Sequence, residues 1–265
     1  MLLYVALTHN NSSACISFYL FRCVLLVCFP SASRNHTMST VAMASTAQLL
    51  REGFVSLQNI KCGVALRSFQ QCMMLSSQSV PAQAVSSHIP QDANTVNKSP
   101  IQAYPLELPR LNENISPHNV FLVFDRVFLP RQDGLLLQEI IPTICIYNIA
   151  LTHHIRAMTC AHNSTLCFKR AQHFYRLVLQ AAQVCMDMED PDDPVVPIVL
   201  ATLNNVGHIH CHFAQTNEMK TILESTCRLL PFIAGRQDMS QQDHIFFYSC
   251  KWLASQYTLQ GAAAA

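Results

Sequence analysis

The sequence predicts a mainly α-helical protein built of helical hairpins, interrupted by a proline-rich irregular insertion that carries one short extended or β segment. Three observations lead there. Apolar residues recur at three- and four-residue steps on both sides of the insertion, the spacing of one buried helix face. Residues 80–117 hold six prolines among Ser, Asn and Gln, which denies helix to that stretch. Asp, Glu, Lys and Arg make up only 12% of the 265 residues while hydrophobic types reach 50%, against about 25% charged in an average soluble domain. That balance favours a folded chain, and a net charge of +1 supplies no basic field for nucleic acid.

Residues 1–37 read as an apolar N-terminal extension. Ile16–Phe29 is almost continuously apolar but broken by Arg22, and shorter than the about 20 residues of a membrane span. It has the length of a signal h-region and a small-residue exit at Pro30-Ser31-Ala32-Ser33, yet no basic residues precede it. The expected location is cytoplasmic. A secretory signal, or a membrane anchor through residues 14–29, is the alternative, and Asn-x-Ser/Thr sequons at Asn11, Asn35, Asn97, Asn114 and Asn163 mildly favour secretion.

Residues 38–79 are expected to form the first hairpin. Leu49, Leu50, Phe54 and Leu57 mark one helix, Val64, Leu66, Phe69 and Met73 the next, with a turn at Lys61-Cys62-Gly63. Residues 80–138 are the linker and the main boundary candidate. Within it Val120–Leu129 is rich in β-branched and aromatic residues and closed by Pro130, which suggests a short strand pair or an extended segment, with a helical turn as the alternative.

Residues 139–260 return to helix. Pro142 fits the first turn of a helix reaching about Cys160. Asn163-Ser164 offers caps for a helix to about Met186, whose buried stripe is Phe168, Ala171, Phe174, Tyr175, Val178, Leu179 and Ala182. Asp187–Pro197 reads as a solvated acidic loop. Helices over about Ile198–Ala214 and Asn217–Phe232 make another hairpin, which Pro231 helps to end, and Ser240-Gln241-Gln242-Asp243 resembles a capping box opening the last helix.

The hairpins share a spacing. Gly53 is followed by Ala65 twelve residues on, Phe69 four further and Cys72 three further; Gly207, Met219, Leu223 and Thr226 repeat those offsets. A small residue in a first helix lets the second cross closely, and it explains why glycines costing about 1 kcal/mol each against Ala are kept. The middle hairpin, with Asn148-Ile149-Ala150 parallel to Asn205-Val206-Gly207, has about nine extra residues, so its helices or its turn must be longer. Such hairpins resemble tetratricopeptide repeats, which implies helix pairs stacked in a short right-handed α-solenoid over residues 139–260.

The resemblance implies a function as well. In that family one face of each first helix lines a concave groove, here Tyr147, Asn148, Leu151 and His154 on the middle hairpin and Ala201, Asn204, Asn205, His208, Cys211 and His212 on the last. The matched Asn148 and Asn205 can pair with a peptide backbone through both donor and acceptor, or can satisfy neighbouring helix groups. The lysines of the family's carboxylate clamp are missing at these positions, so that ligand is not expected. The leading expectation is a non-enzymatic scaffold that binds a protein or peptide, with no cofactor, no metal and no nucleic acid.

The rival is a metal-dependent hydrolase on His208, Cys211 and His212, which share a helix face and could gain a neighbour from His153-His154 if the hairpins stack. It lacks the Glu of a His-Glu-x-x-His motif. No nucleophile elbow or phosphate-cradling glycine loop is present either. The twelve cysteines form no Cys-x-x-Cys pair, and several lie among apolar residues, as at Ile144-Cys145-Ile146, so they read as reduced thiols. Finally, a short solenoid has a large surface, and so few charges leave faces uncovered. Either a partner or the proline-rich segment folding back as a lid must cover them.

Overall fold

Leu50 and Leu57 fall on one face of the first helix and Ala65, Phe69 and Cys72 on one face of the second, and all five are fully buried. The computed structural model describes residues 40–78, 100–108, 121–131, 140–186, 190, 192–236 and 239–263; the apolar run at 14–29 and most of the proline-rich stretch lie outside them. The first hairpin is α1 (Thr40–Gln58) and α2 (Cys62–Gln78). Its turn comes two residues earlier than expected, at Asn59, Ile60 and Lys61, with Ile60 in the left-handed region at φ 56°, and Cys62 and Gly63 already open α2. A Cβ on Gly53 would run into the Phe69 ring, so the close crossing inferred for this hairpin is present.

Two strands follow, β1 (Ile101–Pro105) and β2 (Arg126–Pro130), paired antiparallel with Ala103 opposite Phe128. Each strand ends on a proline, where a missing donor interrupts no ladder. The described parts of the stretch expected as a linker, 100–108 and 121–131, are thus packed into the core. Phe121, Val123, Phe124, Val127 and Phe128 are all buried, and all but Val123 join both helical halves in one apolar cluster that extends from Leu50 to Phe247.

The second half holds α3 (Ile141–Thr159), α4 (Ser164–Cys185), α5 (Val196–His212), α6 (Thr216–Leu229), a 3-10 turn at Leu230–Ile233 and α7 (Gln241–Ala263). The protein is mainly helical, with seven α-helices among the described residues. The extra residues of the middle hairpin lengthen its helices, to 19 and 22 residues. Pro142 sits in the first turn of α3. Asn163 does not cap α4: it is left-handed, at φ 68°, and makes no side-chain cap bond, while the Ser164 hydroxyl donates to the Ala157 carbonyl instead. The α4 stripe buries Phe168, Ala171, Tyr175, Val178, Leu179 and Ala182. At α7 the N-cap half of the capping box forms, the Asp243 N–H donating to Ser240 Oγ at 3.1 Å, and the Ser240 hydroxyl in turn donates to Asp243 Oδ2 at 2.6 Å.

The acidic loop is only partly solvated. Asp193 is buried, its Oδ1 accepts from the Val195 N–H, and Arg236 donates to the Asp192 and Asp193 carbonyls. Through the first six helices, each packs against the one before it and the one after it, while β2 lies on α1 and α3. Helices α3 and α5 are buried on almost every side, which follows from this layering: α4 covers them from one side and the extended segment from the other. Among the described residues, no helix is long and apolar enough to cross a membrane.

Candidate functional site

Asn148, Leu151 and Ile155 recur at three and four residues along α3, and Asn205, His208 and His212 do so along α5, so each set shares a helix face. The two faces meet at residues 121–130, which run extended across them. The Phe124 N–H donates to Asn205 Oδ1 at 2.7 Å, and Asn205 Nδ2 donates back to the Phe124 carbonyl at 3.2 Å. Four residues on, the Phe128 N–H donates to Asn148 Oδ1 at 3.2 Å and Asn148 Nδ2 returns to the Phe128 carbonyl at 2.9 Å. Asn204 Nδ2 adds a bond to the Leu122 carbonyl. Buried peptide groups must find partners, and here side-chain amides supply the donor and acceptor that a neighbouring strand would.

The side chains of the segment fill the space between the helices and α7. Phe124 stacks on Phe247 with centroids 5.0 Å apart and meets Phe246 edge-on at 5.2 Å; Phe128 packs edge-on against Tyr147 at 4.9 Å. A Cβ on Gly207 would lie 2.7 Å from the Phe121 ring. The bare backbone at Gly207 makes room for the segment. Arg126 ties the segment to the last helix, with Nε 2.7 Å from Asp243 Oδ1. A cavity of about 240 Å³ remains between the segment and the start of α7, lined by Phe124, Phe128, Arg131, Pro197 and Asp243 among others.

Behind the segment is a buried polar chain. Asn205 Nδ2 donates to Tyr175 Oη at 3.0 Å; Tyr175 Oη lies 3.4 Å from His154 Nδ1; and His154 Nε2 faces His208 Nδ1 at 3.0 Å. Between two imidazoles at that distance one nitrogen carries the hydrogen and the other accepts it, so the two rings are not both charged, and burial favours the neutral form of each. Burial first, and then the neighbouring His212, lowers the His208 pKa to about 4. Burial, then His208 and His212, lowers His154 well below its ordinary value. Tyr147 Oη donates to the Phe124 carbonyl at 3.4 Å, and burial keeps both phenols protonated.

Eight of the ten residues expected to line an open groove do converge, but they are not open. Tyr147, Asn148, Leu151, His154, Ala201, Asn204, Asn205 and His208 are buried where the chain's own segment and the neighbouring helices cover them. Cys211 is half-buried and His212 exposed, the latter packed 4.3 Å from the Phe168 ring. His154 does become the neighbour of His208, as stacking predicted. No group of three or more His, Cys, Asp or Glu that could hold a metal ion occurs among the described residues.

Sequence reasoning missed the occupant itself, with Phe121, Phe124 and Phe128, and the Arg126–Asp243 tie. The apolar run at 120–129 was the available signal, since a segment that apolar has to be covered on both faces. Comparison with family models, with curated proteins and with solved structures finds no match for this chain.

Proposed function

We propose that the chain is a non-enzymatic interaction scaffold, a short right-handed solenoid of tetratricopeptide-like hairpins that holds extended protein segments by their backbone. One observation carries the proposal. Asn148 and Asn205, at matching places in two hairpins, each bracket the N–H and C=O of a single residue in an extended segment. Backbone pairing is indifferent to most of the segment's sequence, so the same faces accept another segment with large apolar side chains at the spacing of Phe121, Phe124 and Phe128. The sequential packing of the helices is the order a solenoid requires.

The chain's own segment is then the competitor. A tethered segment is present at an effective concentration in the mM range, so a partner enters by displacing it as α7 lifts. The test is a fluorescently labelled peptide of residues 119–131 titrated into the full chain and followed by anisotropy. Weak saturable binding is expected, tightened by Phe124→Ala in the chain, which loosens the internal competitor, and abolished when Asn148→Ala and Asn205→Ala are added. No binding to either the native chain or the folded Phe124→Ala variant would sink the proposal.

A further inference from the structure

Cys72 on α2 and Cys145 on α3 belong to different hairpins, yet their sulfurs are 3.3 Å apart, with the Cys145 thiol directed at Cys72 Sγ. Both side chains are fully buried, and both cysteines are free. Two sulfurs in van der Waals contact need to approach by little more than 1 Å to reach the about 2.05 Å of a disulfide. We propose that Cys72 and Cys145 form a redox staple, a site where a peroxide or glutathione-type oxidant converts two adjacent thiols into a disulfide that fixes the first hairpin to α3.

The chemistry balances in two steps. One thiol takes an oxygen from hydrogen peroxide, giving a sulfenic acid and water. The second sulfur then attacks the sulfenic sulfur; the S–S bond forms, the S–O bond breaks, and the oxygen leaves as a second water. Overall two thiols lose two electrons and two protons, and one peroxide becomes two waters. With oxidised glutathione the same electrons reduce that disulfide to two thiols.

Two features of the site set its rate and its consequence. Burial pushes the Cys145 thiol well above its ordinary pKa, with Cys72 adding to the effect, so little thiolate is present in the closed fold and oxidation follows opening of the α2 and α3 contact. The Cys72 thiol meanwhile points to the Thr46 carbonyl on α1 at 3.7 Å, so α1, α2 and α3 converge on this pair. Cys145 lies just before Tyr147 and Asn148, and the staple therefore anchors the helix that holds the Phe128 backbone.

The reduced full chain is incubated with hydrogen peroxide, its remaining thiols are alkylated under denaturing conditions, and the digest is read by mass spectrometry; a parallel sample refolds in a glutathione redox buffer. The expected result is a peptide pair joined at Cys72 and Cys145 and lighter by two hydrogens, with a Tm higher by about 5–10 °C than the reduced chain. Cys72→Ser and Cys145→Ser should each abolish the Tm rise. Exposed Cys160 reports that the oxidant acted. If Cys160 is oxidised while Cys72 and Cys145 stay alkylatable in both samples, or if the staple forms and Tm does not rise, the proposal is overturned.

Discussion

Asn205 accepts the Phe124 N–H and donates to the Phe124 carbonyl, across 81 residues of sequence. One side chain thereby pairs both peptide groups of a residue on a segment that has β1 on one side only and the helices beneath it. The consequences of that pairing and of its surroundings can be measured.

Removing Asn148 leaves the buried Phe128 N–H and C=O without their side-chain partner, and removing Asn205 strands the Phe124 N–H and leaves its carbonyl only the 3.4 Å bond from Tyr147. Each such group costs about 1–3 kcal/mol, so Asn205→Ala and Asn148→Ala should each destabilise by about 2–4 kcal/mol, read from urea midpoints. Asn205→Ala should be the worse, because Tyr147 and Tyr175 also lose a partner.

Gly207→Ala opposes two effects. Alanine favours helix by about 1 kcal/mol, but its Cβ would meet the Phe121 ring, and overpacking of that kind costs about 1–3 kcal/mol. The variant should be destabilised, and less so when Phe121→Leu frees the space. A double-mutant cycle in which the two changes simply add would contradict the contact.

The neutral His154 and His208 pair makes stability depend on pH. His208 has an ordinary pKa of 6.5 and about 4 in the fold, so between those values the unfolded chain binds more protons than the native one. The His208 contribution is then complete above about pH 6.5, is lost as pH drops toward 4, and changes no further below; it amounts to about 3 kcal/mol. Denaturation midpoints between pH 7.5 and 4 should show the slope, and His208→Gln should reduce it without abolishing it, because burial also lowers His153, to about 4, and His154.

Arg126 and Asp243 form a nearly dry ion pair, their side chains 12% and 5% exposed. Arg126→Met strands the Asp243 carboxylate, a change that costs about 3–5 kcal/mol in buried sites. Because Asp243 also caps α7, near-ultraviolet circular dichroism from Trp252 should report whether α7 loosens in this variant. Unaltered stability would mean the pair contributes nothing.

Most helices were legible because local periodicity records them. The stripes of α1 and α4 and the N-terminal signal of α7 need only residues within a turn or two of one another, and helix boundaries fell within about two residues, apart from α6, whose end gives way to a 3-10 turn; the stripe read for α2 was misplaced, since of Val64, Leu66, Phe69 and Met73 only Phe69 is buried and Val64 is exposed. Asn163 went wrong because its left-handed backbone cannot place the side chain over the first turn. The paired asparagines were legible as a clamp for an extended backbone. That the backbone is residues 121–130 was not, although the low charge pointed to either a partner or a returning lid.

The sequence by itself determined the helices, the matching Asn148 and Asn205, and a surface too apolar to stand uncovered, all of which follow from residue type and short-range spacing. Only the tertiary structure decided what covers that surface, why Gly207 is small, and which cysteines and histidines face each other. Those pairings join residues tens of positions apart, and no local pattern encodes them; they are set when hairpins and segment compete to bury the same apolar faces and to satisfy the same peptide groups.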